Sequence, residues 1–384
     1  MSNYTKATNF ASKDSLLTGN PLKIVKGTEI DNEFNAISTA ISTKFDTASL
    51  AAPGPIGATT PAAISGTTIS GTTGTFSGDV QMASINGGQL AGLRNRIING
   101  DMRVNQRNAT VSTDGTYGVD RWLAFRQAGS FSSSQSTDVP ANSGFVYSNL
   151  WSSGSTTSTG YSGLSQRIEG ANIADLAWGT SAAKTVTLSF WVKAGLIGQY
   201  SVTLRNGTQT RAYSATYTVN VVDTWEYKTV VIPGDTTGTW ATGVGWGVEF
   251  WFSCGGTVTQ TGNAWAAGNF QAATGNVALY ALASGGNFRI TGVQVEVGPV
   301  ASIFEQIPYG LSLALCQRYY SFFPYIIINV PGSDTQATFP VTMRANPNLA
   351  GGGAGFTVSG ANNTTFTASQ TTRVAQTITA TSEL

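Results

Sequence analysis

Apolar residues recur at every second position through the middle of the chain and at every third or fourth position near its start. Thr185-Val-Thr-Leu-Ser-Phe-Trp-Val-Lys193 alternates strictly, with Val186, Leu188, Phe190 and Val192 on one face, the pattern of a half-buried strand. Similar runs follow at Tyr200 to Leu204, Tyr213 to Val221, Trp225 to Val231, Val244 to Phe252 and Phe288 to Val297, each bounded by Gly, Asn, Pro or Asp. Short strands at this spacing, without helical stretches between them, predict an antiparallel two-sheet sandwich or jelly roll from Arg94 to about Pro308. Ala171 to Trp178 reads as a short helix crossing one end.

The helical period belongs to the N-terminal region. Thr28 with Asp31 three residues on fits a capping box, and Ile30, Phe34, Ile37 and Ile41 follow at spacings of four, three and four, a heptad seam. Two heptads do not hold a helix alone. The seam therefore packs on copies of itself or on a neighbouring globular part, and both a coiled-coil start and a plain amphipathic helix fit the spacing.

Between these regions the chain reads AAISGTTISGTTGTFSGDV from Ala62 to Val80, offering Ile64, Ile69 and Phe76 against Ser, Thr and Gly. One chain cannot build a core from that. Identical chains side by side bury such residues on a shared axis, whereas a flexible linker leaves them exposed. The helix seam is under-supplied with apolar surface in the same way, which favours the shared shaft.

The sequence thus predicts a mainly β protein: an N-terminal arm and short helix (1–50), a Pro/Gly/Ala hinge and Ile-Ser-Gly-Thr-Thr β shaft (51–93), a sandwich or jelly-roll body (94–310) and a β-rich C-terminal tip (311–384). The tip opens on Leu311 to Tyr320, a short helix or strand lead-in, and its apolar stock is small. It is expected to intertwine with copies of itself.

Composition narrows the function classes. Charged residues make up 11% of the chain, against about 25% in ordinary soluble proteins, yet 41% hydrophobic content is enough for a packed core. The net charge is +1 with no basic run, which argues against nucleic-acid binding. Cys254 and Cys316 are the only cysteines and histidine is absent, which argues against a disulfide scaffold, a metal site and His-dependent nucleophilic catalysis. The first twenty residues lack an apolar signal core, and no later run is long enough to span a membrane, so the chain is expected to be made in a cytoplasm without membrane insertion.

Eight motifs carry a resemblance. Arg94-Asn-Arg-Ile-Ile-Asn-Gly-Asp-Met102, Tyr117-Gly-Val-Asp-Arg-Trp122, Gln166-Arg-Ile-Glu169, Ser189-Phe-Trp-Val-Lys-Ala194, Ile232-Pro-Gly-Asp-Thr-Thr-Gly-Thr-Trp240, Ile290-Thr-Gly-Val-Gln-Val-Glu-Val-Gly298, Phe304-Glu305 and Cys316-Gln-Arg-Tyr-Tyr320 fall in this order. Together they resemble a bacteriophage tail-fibre family whose members are trimeric fibres that bind the host surface. The stretch from Asn9 to Thr28 also looks like the virion-attachment segment of fibres from short-tailed phages. The resemblance implies a homotrimer in the virion tail, an arm docked on the tail tube, adaptor or nozzle, and a bacterial surface glycan as the receptor. It implies no cofactor and no catalytic residues. A depolymerase fibre and a purely structural tail appendage are the alternatives.

A sugar site needs aromatic rings for the apolar faces of sugars and amides or carboxylates for their hydroxyls. Trp240, Trp246, Trp251 and Trp265 lie near turns and near Asp235, Asn263 and Asn269, and Tyr325 lies in the tip. Trp191 and Trp225 are assigned to packing or to an inter-chain contact. Hydrolysis requires paired carboxylates, for which Asp223, Glu226, Asp235 and Glu249 are available. Asp120 with Arg121, and Glu169 with Arg167, read as strand-end or inter-chain ion pairs.

Overall fold

The computed structural model describes residues 4–42, 92–156, 160–282, 286–326, 334–351, 356–370 and 376–384. The chain divides into two compact units, Met1–Val80 and Gln81–Leu384. Ile64, Ile69 and Phe76, the expected shaft residues, lie outside the described residues.

In the first unit a short helix α1 (Ala11–Asp14) and a 3-10 turn (Pro21–Lys23) lead to α2 (Gly27–Ser42). The helix begins one residue before Thr28, so the capping box is not the expected one. The Lys26 N–H donates to the Glu29 carboxylate at 2.9 Å, the reciprocal half of a box shifted two residues towards the N-terminus. The other Glu29 oxygen pairs with Lys13 at 2.9 Å, and Glu33 accepts from the N–H groups of Ala7 and Thr8. Two carboxylates in the first turns of α2 thereby hold the arm against the helix. Along the seam Ile30, Phe34 and Ile41 are exposed at 41%, 64% and 64%, and Ile37 is half-buried.

The second unit is built on a β sandwich. One sheet runs in the order β1 (Thr116–Tyr117), β2 (Leu123–Arg126), β5 (Tyr161–Glu169), β10 (Trp246–Gly256), β7 (Gly198–Asn206), β8 (Arg211–Val219) and β12 (Trp265–Ala267). The other runs β3 (Phe131–Ser136), β4 (Ser148–Ser153), β14 (Asn287–Val297), β6 (Val186–Ala194) and β9 (Glu226–Ile232). All these pairings are antiparallel. One short pair, β11 (Thr259–Gln260) with β13 (Ala272–Ala273), is parallel, which the alternation did not predict. The stretch from Ala171 to Trp178 forms two 3-10 turns, Gly170–Asn172 and Ala174–Leu176, rather than one helix.

The alternating positions meet between the sheets. Val186, Leu188, Phe190 and Val192 of β6 face Tyr200, Val202 and Leu204 of β7 and Val248, Phe250 and Phe252 of β10, all within one core. Each such side chain contributes about 1.5–3 kcal/mol when fully buried. Cys254 and Cys316 are buried free thiols, and burial pushes both thiols well above their ordinary range.

A helix α3 (Tyr309–Gln317) leads to two three-stranded sheets at the C-terminus. These are β15 (Tyr320–Ile326) and β17 (Asn348–Gly351) on β20 (Gln376–Thr381), and β16 (Asp334–Thr338) and β18 (Phe356–Ser359) on β19 (Thr365–Gln370). They enclose a small core of Phe339, Met343, Phe366, Ala368, Ile378 and Ala380.

Charged groups, largely buried, join this segment to the sandwich, and they repartner the ion pairs expected from sequence. Arg121 pairs with Glu383 instead of Asp120, and Asp120 pairs with Arg107 at 3.1 Å. Arg167 pairs with Glu249 at 3.1 Å, while Glu169 takes Arg318 through two bonds of 2.9 Å and the Tyr319 hydroxyl at 2.5 Å. Asp120 and Arg121 lie in a turn, with Arg121 in the left-handed region at φ +72°, which sends the two to different partners, while Arg167 and Glu169, two apart on β5, each find a partner on another element, Glu249 of β10 and Arg318 after α3. The same network absorbs the sequence motifs: Glu305 accepts from the N–H groups of Arg94 and Asn95, Gln166 brackets Ile98 through its amide, and Arg107 lies 3.7 Å above the Tyr320 ring.

A candidate glycan site on the outer face of the larger sheet

Inward-facing residues of the seven-stranded sheet fill the core, and the residues between them build its outer face. In β10, Phe250 and Phe252 point inward, which turns Glu249 and Trp251 outward. Register then brings together positions far apart in sequence. Trp251 sits opposite Ser165 of β5 and Thr203 of β7, Glu249 opposite Arg167 and Arg205, and Phe125 opposite Gly163.

A cavity of about 210 Å³ opens on this face, lined by Phe125, Tyr161, Trp251, Arg205, Asn269 and Gln271 together with Arg167 and Gln209. One wall is aromatic, with its inner rings covered: Trp251 is 1% and Phe125 9% exposed, and Tyr161 is half-buried. The Phe125 and Trp251 rings lie 4.5 Å apart, and Tyr161 meets Trp251 edge-on at 5.7 Å. Gly163 makes this possible, since a Cβ there would stand 2.2 Å from the Phe252 carbonyl and 3.1 Å from the Trp251 indole nitrogen. Tyr161 donates its hydroxyl to Asp114 at 3.0 Å, and burial together with that carboxylate raises the pKa of its phenol.

The facing wall is a ladder of polar groups. Glu249 is fully buried and accepts from the Ser165 hydroxyl at 2.8 Å, from Arg167 Nε at 3.1 Å and from Arg205 Nε at 3.0 Å. Arg205 also donates to Asn269, whose amide nitrogen donates to Gln209 at 2.8 Å. The Arg205 guanidinium lies 5.1 Å above the Trp251 ring, tying the walls together. Two buried polar atoms of the lining residues have no partner: Trp251 Nε1 and Gln271 Oε1.

Of the tryptophans singled out in the sequence, Trp251 lines this cavity. Trp246, at the start of β10, lies under the Arg167 guanidinium at 4.1 Å, just outside the lining. Trp240 is 9% exposed and packs with Trp178 and Trp265 in an aromatic cluster at the β8 and β12 edge. Trp265 is half-buried there and donates to the Pro233 carbonyl at 2.8 Å. Tyr325 belongs to β15 in the C-terminal segment. Sequence reading missed Phe125, Tyr161, Arg205, Gln209 and Gln271.

Compared with protein-family models the chain matches none, and compared with curated proteins it again finds no match. Among solved structures, the enzymatically active domain of bacteriophage CBA120 tailspike protein 4 is similar over 53% of this chain at 14% identity and TM-score 0.29. The match covers 21% of that chain, about a fifth of its length. The CBM22-1 xylan-binding domain of Paenibacillus barcinonensis Xyn10C is similar over 55% of this chain and 100% of its own, at 12% identity and TM-score 0.26. A putative sugar-binding protein from Bacteroides thetaiotaomicron is similar over 53% and 100%, at 13% identity and TM-score 0.28.

The carboxylates considered for hydrolysis are separately engaged. Burial alone raises the Asp235 pKa, but hydrogen bonds from Arg211 and Thr237 outweigh it and lower it. Glu226 likewise feels burial, yet Lys228, the Val221 and Asn220 N–H groups and the Asn220 amide bring it down to about 2. Glu249 is committed to the ladder, and Asp223 is exposed in a left-handed turn at φ +48°. Among the described residues no group of His, Cys, Asp or Glu is arranged to hold a metal, and no helix is long and apolar enough to cross a membrane.

A second concavity of about 710 Å³ lies on the outer face of the five-stranded sheet, lined by Phe145, Trp191, Tyr227, Ile303 and Phe304 with a few serines. Its surface is mostly apolar, and Ile303 on its rim is 90% exposed. The Trp191 and Tyr227 rings lie 5.5 Å apart, tilted by 54°, and Trp225 donates to Asp138 at 2.9 Å.

Proposed function

We propose that this chain is a phage tail fibre that adsorbs to bacteria by holding a surface glycan in the groove on the larger sheet. The observation that carries this reading is the pairing of its walls. A pyranose presents a C–H face and a rim of hydroxyls, and the groove offers the half-buried Tyr161 ring, backed by the buried Phe125 and Trp251 rings, on one side and amides and guanidinium groups on the other. The fibre assignment draws support from the ordered sequence motifs and from the seam of α2, whose exposed Ile30, Phe34 and Ile41 suit association with copies of the chain. A homotrimer in the virion tail, docked by its arm on the tail tube, adaptor or nozzle, would present three such grooves, and weak sites then act together.

The chemistry favours binding over hydrolysis. A general acid requires a carboxylate whose pKa is raised near the scissile bond, whereas Glu226 and Asp235 are lowered and Glu249 is enclosed by two guanidinium groups.

Binding of the purified chain to a glycan array and to whole bacteria tests the reading. Tyr161→Ala is expected to weaken binding about tenfold while preserving the fold, because it removes a half-buried ring from the wall. Trp191→Ala, on the opposite sheet, is expected to leave glycan binding unchanged. Binding that survives Tyr161→Ala and falls with Trp191→Ala would move the site to the other face.

A further inference from the structure

We infer that the groove takes a single sugar residue end-on, the terminal residue or a one-residue side branch of a glycan, and not an internal stretch of chain. The inference rests on the glycan reading of this groove and adds the class of ligand. Size is the first ground. The cavity of about 210 Å³ lies below the roughly 300–1,000 Å³ of pockets for larger ligands.

Closure is the second ground. A glycan chain passing through needs an opening at both ends. At one end of β5, Tyr161 is tied to Asp114 and set edge-on against Trp251. At the other, Arg167 lies over Trp246 and is fixed by Glu249 and by the Leu384 carbonyl at 2.7 Å. The Asn269 amide nitrogen donates to Gln209 at 2.8 Å among the lining residues.

The third ground is the pair of unpartnered atoms in the lining residues. Trp251 Nε1 is a donor and Gln271 Oε1 an acceptor, both buried and both without a partner. Both atoms are covered in the free protein, so a sugar hydroxyl, which accepts and donates at once, pairs with them once the Trp251 and Gln271 side chains turn towards the groove; buried polar groups are otherwise almost always paired.

The test is calorimetric titration of the full chain with glucose, galactose, mannose, rhamnose and N-acetylglucosamine, and with homo-oligosaccharides of each in increasing length. The expected result is that at least one monosaccharide binds and that its oligosaccharides bind within about threefold of it. Gln271→Ala should weaken both by the same factor, about tenfold. An oligosaccharide that binds more than about tenfold tighter than its monosaccharide would overturn the one-residue site while leaving the glycan reading intact. No binding by any member of either set would overturn the glycan reading itself, and binding indifferent to Tyr161→Ala would take the site away from this groove and overturn the one-residue assignment made for it.

Discussion

Replacing Glu249 with alanine is expected to destabilise the sandwich by about 3–5 kcal/mol. The carboxylate is fully buried and is the shared acceptor of Ser165, Arg167 and Arg205. Its removal strands the Arg205 guanidinium, whose side chain is 4% exposed, with a single remaining acceptor in Asn269. An uncompensated buried charge costs far more than an exposed pair contributes, since surface pairs are worth about 0–1 kcal/mol. Thermal unfolding at neutral pH would show a midpoint lower by roughly 10 °C. Glu249→Gln keeps one acceptor oxygen and should fall between the two. A Glu249→Ala protein within about 1 kcal/mol of the parent would mean that water reaches the ladder and that the groove is less enclosed than described.

Glu383→Ala should cost a similar amount, about 3–5 kcal/mol, by the same physics at a different seam. Glu383 receives Arg121, whose side chain is 1% exposed, and Arg107 at 2.9 Å. Arg121 lies 3.5 Å above the Tyr319 ring, so its charge is boxed between the sandwich and the C-terminal segment. A single replacement leaves that charge buried without its carboxylate. The double replacement Arg121→Met with Glu383→Leu removes both charges and is expected to recover most of the loss, because a buried pair exchanged for apolar side chains is often close to neutral. Urea unfolding of the three proteins measures this. Equal losses in the single and double variants would show that packing, rather than charge, holds the segment in place.

The strands were legible because alternation is imposed by burial on one face. Val186 to Val192 and Phe288 to Val297 could not have read differently and still filled a core between two sheets. Partner choice was not legible. Asp120 beside Arg121 suggests a pair only until the turn that carries them, with Arg121 at φ +72°, sends the two to different neighbours, Arg107 and Glu383. The groove was partly written in the same alternation: between Phe250 and Phe252, which face the core, Trp251 has to point outward. Its companions were hidden because register, not spacing, brings Phe125, Tyr161, Arg205 and Gln271 together across strands and a loop. The helix start failed for a subtler reason. Thr28 is a good capping residue by type, but Glu29 reaches back to Lys26 and Lys13 and sets the boundary earlier.

The claim that the larger sheet carries the ligand is tested most directly by fluorine NMR of the chain labelled with 5-fluorotryptophan, with each signal assigned by single Trp→Phe replacement. Saccharide that binds in the groove is expected to shift the Trp251 resonance, because Trp251 lines the groove and packs edge-on against Tyr161, and to leave Trp191 on the opposite sheet unmoved. A bound saccharide that shifts Trp191 and not Trp251 would contradict the assignment and place recognition on the five-stranded face.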